Sequence, residues 1–247
     1  MNTFIFILKN ELYKLLHKKK YFILLLIAVG FCAVRWGGNA LALRLSDGIV
    51  KLAGNVTLEM LPVFCELFVP IIIFIASVDL FTGEYSSDTM KECLLQPVTR
   101  FKLLSAKSAA VFILGSTFLL AMYFICMIIQ LILGGTAQNA LITLLAYIID
   151  IIPLLGITAL AVFINVLLKA PSAAMLLSLA VYGVMKYAGI YVAASNSFLF
   201  TSFAKLHSLI LGNAIPFHSI LYKFGILAGS ILILYSLSYI IFDSKDI

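Results

Sequence analysis

Six apolar segments divide the chain, and each is long enough to cross a lipid bilayer as a helix. The hydrocarbon core of a bilayer is roughly 30 Å thick and a helix rises about 1.5 Å per residue, so a span needs about 20 mostly apolar residues. The segments are 21–40, 56–81, 109–133, 141–168, 173–194 and 219–242. Because only structures that satisfy their own backbone hydrogen bonds can span lipid, these segments predict an all-α integral membrane protein. We expect one transmembrane domain of six helices, residues 1–247.

The composition excludes several other classes of protein. With 63% hydrophobic and 11% charged residues, the chain is too apolar for a water-soluble surface. Its basic residues lie at the ends of apolar segments and form no aromatic-rich basic face, so we predict no nucleic-acid partner. The cysteines and histidines are widely scattered, which predicts no metal site. The sequence carries no HExxH or GxSxG motif, so we predict no catalytic residues and no enzyme activity in this chain alone.

Lysine and arginine residues indicate the orientation of the spans. Cytoplasmic loops of membrane proteins carry an excess of these residues. With the amino terminus inside, eleven of the 17 Lys and Arg residues fall on the cytoplasmic side. An even number of crossings returns the chain to that side. We therefore expect both termini of this multi-pass protein in the cytoplasm.

The segment 1–20, before the first predicted span, has the pattern of an amphipathic helix. Apolar residues recur there at spacings of three and four, and lysines lie between them. Such a helix lies in the membrane interface, with its lysines directed toward anionic lipid headgroups. Two roles fit this pattern: a plain membrane anchor, or a docking element for a partner protein.

The segment 82–107, between the second and third predicted spans, is the interior part of the chain that is densest in charge. The spacing of Thr89 and Glu92 matches a capping box, which predicts the start of a short helix. Pro97 disfavours a helical residue before it, so this helix should end there. Thr99 is placed to cap the helix that leads into the third span. We therefore predict a short helix on the cytoplasmic surface, with an apolar edge.

The order of residues in this segment resembles that in the membrane subunits of type-2 ABC transporters. These subunits commonly carry a glutamate, then Gly-Thr with a basic residue, then leucines, then Pro-x-Ser/Thr-Arg before a lysine. The matching residues here are Glu84, Thr89, Lys91, Leu94, Leu95, Pro97, Thr99, Arg100 and Lys107. Asp88 stands where the family usually has glycine. Residues 10–14, Asn-Glu-Leu-Tyr-Lys, are also similar to the opening of such permeases.

The resemblance implies that the short helix is a coupling helix, which sits in a cleft of an ATPase subunit and transmits its closure to the spans. The residues implied in this coupling are Glu84, Thr89, Lys91, Glu92, Leu94, Leu95, Pro97 and Arg100. The chain has no GxxxxGK[ST] loop, so we expect no cofactor in it, and ATP and Mg would be bound by the partner. The implied complex contains two ABC ATPase subunits and a second permease copy, identical or related.

The segment 195–217, before the sixth predicted span, is too interrupted by polar residues, glycine and proline to cross the membrane. It could dip into the membrane from the outer side and return where protein shields its backbone. Type-2 ABC exporters are similar in having short re-entrant helices at this place. An ordinary outer loop remains the alternative.

Four acidic residues lie in or at the ends of apolar segments: Glu59, Glu66, Asp79 and Asp150. Charge is costly inside a membrane and is usually directed toward protein or water. Glu59 and Glu66 are seven residues apart and would share a face of one continuous helix. These carboxylates could line a substrate pathway that favours cationic groups. They could equally pair with Arg35 or Lys186, or lie near the interface.

The resemblance also implies a substrate class. Small permeases of this kind serve bacteria in exporting or resisting membrane-active compounds such as lantibiotics, bacitracin-like antibiotics and phenol-soluble modulins. We therefore expect export of an amphipathic or antimicrobial peptide across the bacterial plasma membrane. Drugs, lipids and ions remain open as other substrates. The alternative function is an ion-coupled secondary transporter with no ATPase partner. Such transporters often show inverted repeats, and the two halves of this sequence share no obvious pattern.

Overall fold

The computed structural model describes residues 2–45, 56–87, 89–90, 98–132, 139–191, 206–207 and 217–244. All the regular elements in these residues are helices. The first are α1 (Asn2–Leu16), α2 (Lys19–Leu45) and α3 (Val56–Val63), followed by a π-helical turn (Phe64–Phe68), α4 (Val69–Leu80) and α5 (Thr82–Ser86). The remainder are α6 (Arg100–Ile132), α7 (Ala140–Ile149), α8 (Leu154–Leu167), α9 (Pro171–Tyr191) and α10 (Phe217–Ser244).

Among the described residues, five helical stretches are long and apolar enough to cross a membrane. They are Thr57–Ser86, Arg100–Ile132, Ala140–Leu167, Pro171–Gly189 and Ile220–Ser244. They correspond to the second to sixth predicted spans, and we call them spans 2 to 6. The first predicted span lies within α2, which is not one of the five. The all-helical membrane fold is therefore confirmed, while the count of six spans remains a prediction.

Span 3 begins nine residues before the predicted boundary, at Arg100. The Thr99 hydroxyl accepts a hydrogen bond from the Lys102 backbone N–H at 3.4 Å, which confirms Thr99 as the cap of this helix. The first two turns of the helix carry Arg100, Lys102 and Lys107, so they are too polar for the hydrocarbon core. The helix therefore extends beyond the apolar segment 109–133 that is predicted to cross the membrane.

Span 2 contains an irregular turn between its two prolines. In the π-helical turn, the Val69 N–H donates to the Phe64 carbonyl, five residues back. Pro70 has no N–H, so the Glu66 carbonyl lacks its usual α-helical donor. The Tyr182 hydroxyl of α9 donates to that carbonyl instead, at 3.0 Å. This turn therefore fastens span 2 to span 5.

Span 4 is broken near its middle, whereas the sequence predicts one continuous segment over 141–168. The chain leaves α7 at Asp150 and enters α8 at Leu154 through a turn that contains Pro153. Pro153 cannot donate a backbone hydrogen bond, which explains why the helix stops here. The break leaves Asp150 at the end of α7, where its side chain is free to accept hydrogen bonds from another segment.

The core lies where spans 2, 3 and 4 meet, and α10 packs along α8. Phe64, Phe74 and Tyr147 are fully buried in it. Gly115 of span 3 lies against Ile73 of span 2: a Cβ atom on Gly115 would be 2.9 Å from Ile73 Cγ1. Small residues allow two membrane helices to approach closely in this way. Spans 2 and 3 therefore form a tightly packed pair.

Two buried thiols join α2 to this core. The Sγ atoms of Cys32 on α2 and Cys126 on α6 are 3.3 Å apart. Cys32, Cys65 and Cys126 are free and buried, as the sequence predicts, while Cys93 lies outside the described residues.

We expect copper phenanthroline to oxidise Cys32 and Cys126 to a disulfide, because their sulfur atoms are already in contact. Mass spectrometry of the digested protein would detect the linked peptides. The Cys126→Ser variant is the control and should show no link to Cys32. Failure of the wild-type protein to cross-link, with both thiols recovered unmodified, would contradict the packing of α2 on α6.

Candidate functional site

Four charged side chains form a closed ring where α1 packs against the bundle. Lys14 Nζ lies 3.0 Å from Glu11 Oε1 and 3.0 Å from Glu84 Oε1. Lys107 Nζ lies 2.6 Å from Glu84 Oε2 and 3.3 Å from Glu11 Oε2. Glu11 and Lys14 belong to α1, Glu84 to α5 and Lys107 to α6. We call these residues the four-charge ring.

The four-charge ring is largely buried. The Lys107 side chain is 0% exposed and the Glu11 side chain 2%. Burying a charge is costly unless an opposite charge accompanies it, and here two acids balance two bases. Within the described part of the chain, Glu11 Oε2 accepts no hydrogen bond, so its contact with Lys107 is electrostatic. Loss of any one member would leave an uncompensated charge in the protein interior.

Lys14 keeps its charge in this site. Burial alone would lower the pKa of Lys14, but the carboxylates of Glu11 and Glu84 outweigh that effect and raise it above its usual value. The stabilisation that Lys14 provides is therefore complete below the pKa of a free lysine, and is lost only as the pH rises through the higher folded value. Lys14 consequently stays charged throughout the physiological pH range.

The sequence of α1 explains how it reaches the ring. Glu11 and Lys14 are three residues apart, so they lie on neighbouring positions of one helix face. Ile7 and Leu15 are buried on the same side, and α1 packs against α6. The amphipathic helix is thus confirmed as a helix, but Lys14 points into the protein. This corrects the expectation that the lysines of this segment all face lipid headgroups.

A second ionic contact lies at the junction of α1 and α2. Lys18 Nζ and Lys20 Nζ lie 3.3 Å and 2.5 Å from the same atom, Asp79 Oδ1. The Tyr21 hydroxyl donates to Asp79 Oδ2 at 2.6 Å. A cavity of about 480 Å³ lies between this contact and the four-charge ring, and Gly83, Ser87 and Thr89 also line it. The end of span 2 is therefore bound to α1 and α2 by charged groups.

The described residues include three of the predicted coupling residues. Glu84 is a member of the four-charge ring, and the hydroxyl groups of Thr89 and Ser87 are 2.9 Å apart. The Arg100 guanidinium donates to the Asp243 carbonyl at the end of α10, so it ties the start of span 3 to the end of span 6. Lys91, Glu92, Leu94, Leu95 and Pro97 lie outside the described residues. The coupling helix remains a prediction.

Glu59, Glu66 and Asp150, predicted as possible substrate-pathway residues, have different surroundings. Glu66 Oε1 lies 3.0 Å from Lys186 Nζ, which is one of the two pairings that the sequence leaves open. Glu59 is exposed. The π-helical turn at Phe64–Phe68 interrupts the α-helix between them. The prediction that Glu59 and Glu66 share a face assumed one continuous helix. The prediction therefore does not hold in this structure.

Asp150 is bound by the segment around His207, a contact that the sequence does not predict. It is 1% exposed and accepts a hydrogen bond from the His207 backbone N–H at 2.9 Å. The His207 ring Nδ1 lies 2.6 Å from Asp150 Oδ2, and the Cys65 thiol lies 3.9 Å from the same oxygen. Cys65 precedes Glu66, so the Cys65–Asp150 contact and the Glu66–Lys186 pair lie at the same level of span 2. Most of segment 195–217 lies outside the described residues, but His207 is buried at this place.

Comparison with known protein families shows to which family of membrane proteins the chain belongs. Residues 7–186 match the family model described as ABC-2 family transporter protein. The chain belongs to the ABC-2 transporter family. The match contains all four members of the four-charge ring and ends within α9, before His207 and α10. A search of curated proteins found no significant match.

Membership of the ABC-2 family agrees with the multiple apolar helices of the structure. The chain is a multi-pass membrane protein and a permease component, which is a transport subunit and not itself an enzyme. The family also implies an ATPase as partner. The motifs of segments 10–14 and 82–107 predict this class, but they do not predict the contacts of Glu11 and Lys14 with Glu84 and Lys107, nor that of His207 with Asp150.

Proposed function

We propose that this chain is the permease subunit of an ABC exporter that moves an amphipathic or antimicrobial peptide across the bacterial plasma membrane. Two separate ATPase subunits bind and hydrolyse Mg-ATP, and a second permease copy completes the pathway. Six spans place both termini in the cytoplasm, with the segment 195–217 re-entrant from the outer side. The α1 end of the bundle then faces the ATPase subunits.

The four-charge ring is the observation that supports this mechanism most strongly. It joins the two ends of the loop that carries the predicted coupling helix, because Glu84 precedes that loop and Lys107 follows it. It also includes Glu11 and Lys14 of α1. A displacement of the loop by the ATPase would therefore act on spans 2 and 3 and on α1 together. The close packing at Gly115 would keep spans 2 and 3 moving as one unit.

The surroundings of Glu66 and Asp150 support a cationic substrate. Each carboxylate lies within an apolar span and is bound by a basic side chain, Lys186 and His207 respectively. A carboxylate that binds a basic side chain in this way is electrostatically suited to bind a lysine or the amino terminus of a peptide. The substrate would exchange with these internal partners during transport.

Replacing both Leu94 and Leu95 with glutamate should weaken ATPase binding by about 30-fold, which is the effect of losing one hot-spot contact of roughly 2 kcal/mol. The charged side chains would not enter an apolar cleft of the partner. Co-purification and titration of the ATPase onto reconstituted permease would measure this. The double Leu→Ile variant is the matched control and should bind normally. Unchanged binding and coupled hydrolysis in the glutamate variant would contradict the assigned coupling helix.

Transport by the reconstituted complex tests the function as a whole. Proteoliposomes that contain permease and ATPase should accumulate an amphipathic cationic peptide only when Mg-ATP is supplied on the side of the ATPase. Accumulation by the permease alone, driven by a proton or sodium gradient, would support the ion-coupled alternative and exclude the proposal.

A further inference from the structure

An apolar crevice opens between the α1–α2 junction and the pair formed by spans 2 and 3. Its volume is about 260 Å³. Leu16, Phe22 and Leu25 line it on one side, and Ile72, Leu114 and Phe118 on the other. Leu16 and Phe22 are each 66% exposed, so the crevice is open at its rim. Pockets for drug-sized ligands are usually about 300–1,000 Å³ and mostly enclosed, so this crevice is suited to part of a flexible chain.

The crevice lies at the depth of lipid acyl chains. Ile72 is seven residues from Asp79 along α4, and Leu114 is seven residues from Lys107 along α6. At about 1.5 Å per residue, the crevice is therefore about 10 Å deeper in the membrane than the layer of charged residues. The charged layer is then at the level of the headgroups.

An excess of positive charge lies beside the mouth of the crevice. Lys18 and Lys20 share the single carboxylate of Asp79, which leaves one positive charge over. Their side chains are 42% and 43% exposed, and Lys19 between them is exposed as well. Tyr21 connects the two regions, because its hydroxyl binds Asp79 and its ring lines the crevice. A molecule complementary to this surface has a negative charge at the level of the headgroups and an apolar chain at the level of the crevice.

We infer that this surface is a specific site for an anionic phospholipid from the leaflet that holds α1. The phosphate lies against Lys18 and Lys20, and one acyl chain occupies the crevice. The lipid bridges the α1–α2 junction and spans 2 and 3, so it stabilises the arrangement that the four-charge ring also holds. This inference rests on the membrane placement proposed above and not on the identity of the substrate.

The test is retention of defined lipids by the purified full-length chain. Delipidated protein is titrated with phosphatidylglycerol or phosphatidylcholine and examined by native mass spectrometry. We expect the wild-type protein to retain one phosphatidylglycerol in preference to phosphatidylcholine. The Lys18→Gln/Lys20→Gln variant should bind phosphatidylglycerol about 30-fold more weakly, because each of the two basic residues near the membrane surface contributes about fivefold to the affinity.

Two further variants separate the parts of the site. Thr117→Phe fills the crevice without altering charge, since Thr117 lines it and is exposed there, and it should also lose the retained lipid. Lys169→Gln changes an exposed lysine next to span 5 and should retain lipid like the wild type. The Cys32–Cys126 cross-link, formed in each variant, verifies that α2 remains packed.

Equal retention of the two lipids by the wild-type protein would overturn the inference, and so would full retention by correctly packed Thr117→Phe. The assay needs no ATPase. If the protein prefers phosphatidylglycerol but binds no ATPase, the result contradicts only the proposed function. If it binds an ATPase but shows no lipid preference, the result contradicts only the lipid site.

Discussion

Replacing Lys107 with methionine should lower the free energy of unfolding by about 3–5 kcal/mol, because it leaves the Glu11 and Glu84 carboxylates buried with only Lys14 between them. In thermal unfolding of the purified protein, this corresponds to a fall in melting temperature of roughly 10 °C. Lys102→Met removes an exposed lysine five residues away on the same helix and is the matched control. It should change stability by less than about 0.5 kcal/mol.

The double variant Glu84→Gln/Lys107→Met distinguishes a structural role of the ring from a role in coupling. It removes one acid and one base, and replacing a buried ion pair by neutral groups is often nearly neutral for stability. We therefore expect it to recover much of the stability that Lys107→Met loses. If the ring transmits displacement of the loop, this folded variant should bind the ATPase yet transport poorly. Equal melting temperatures for Lys107→Met and Lys102→Met would refute the buried ring itself.

Replacing Asp150 with alanine should release the segment around His207 and strongly reduce transport. The substitution leaves the His207 N–H and ring without their acceptor in a buried place, which costs about 1–3 kcal/mol or more. Cys65, which lies against Asp150, should then react at least tenfold faster with a maleimide in membranes. Labelling followed by mass spectrometry gives the rate for Cys65.

Two substitutions serve as controls for this experiment. Asp150→Asn retains an oxygen that accepts from the His207 N–H but has no charge, so its labelling rate should be intermediate. Glu59→Gln alters an exposed carboxylate in span 2 and should leave Cys65 protected. Wild-type labelling and transport in Asp150→Ala would show that His207 is not held by this carboxylate.

The positions of the spans could be predicted from the sequence because length and hydropathy directly reflect bilayer thickness. The start of the span 3 helix at Arg100 was also predicted, from Thr99 as its cap, although it lies outside the apolar segment. The break at Asp150 was missed because Pro153 lies within an otherwise uniform apolar segment. Composition alone does not distinguish a broken span from a continuous one.

The pairings of charged groups could be predicted only in part. Glu11 and Lys14 are close in sequence, and their spacing indicates a local pair. Their contacts with Glu84 and Lys107 depend on how α1 packs on α6, for which one sequence gives no distance information. Glu66 was correctly given Lys186 as one of two possible partners. His207 was not connected to Asp150, because its segment has no helical periodicity that would indicate a buried face.

The π-helical turn at Phe64–Phe68 divides span 2 into two parts, α3 and α4, whose helical faces are out of phase. One extra residue in a helix rotates everything beyond it by about 100° relative to an uninterrupted α-helix. Tyr182 and Lys186 hold Glu66 within this turn, whereas the four-charge ring holds the far end at Glu84. A rotation of α4 near Glu84 would therefore be taken up first as a change of helical winding at this turn.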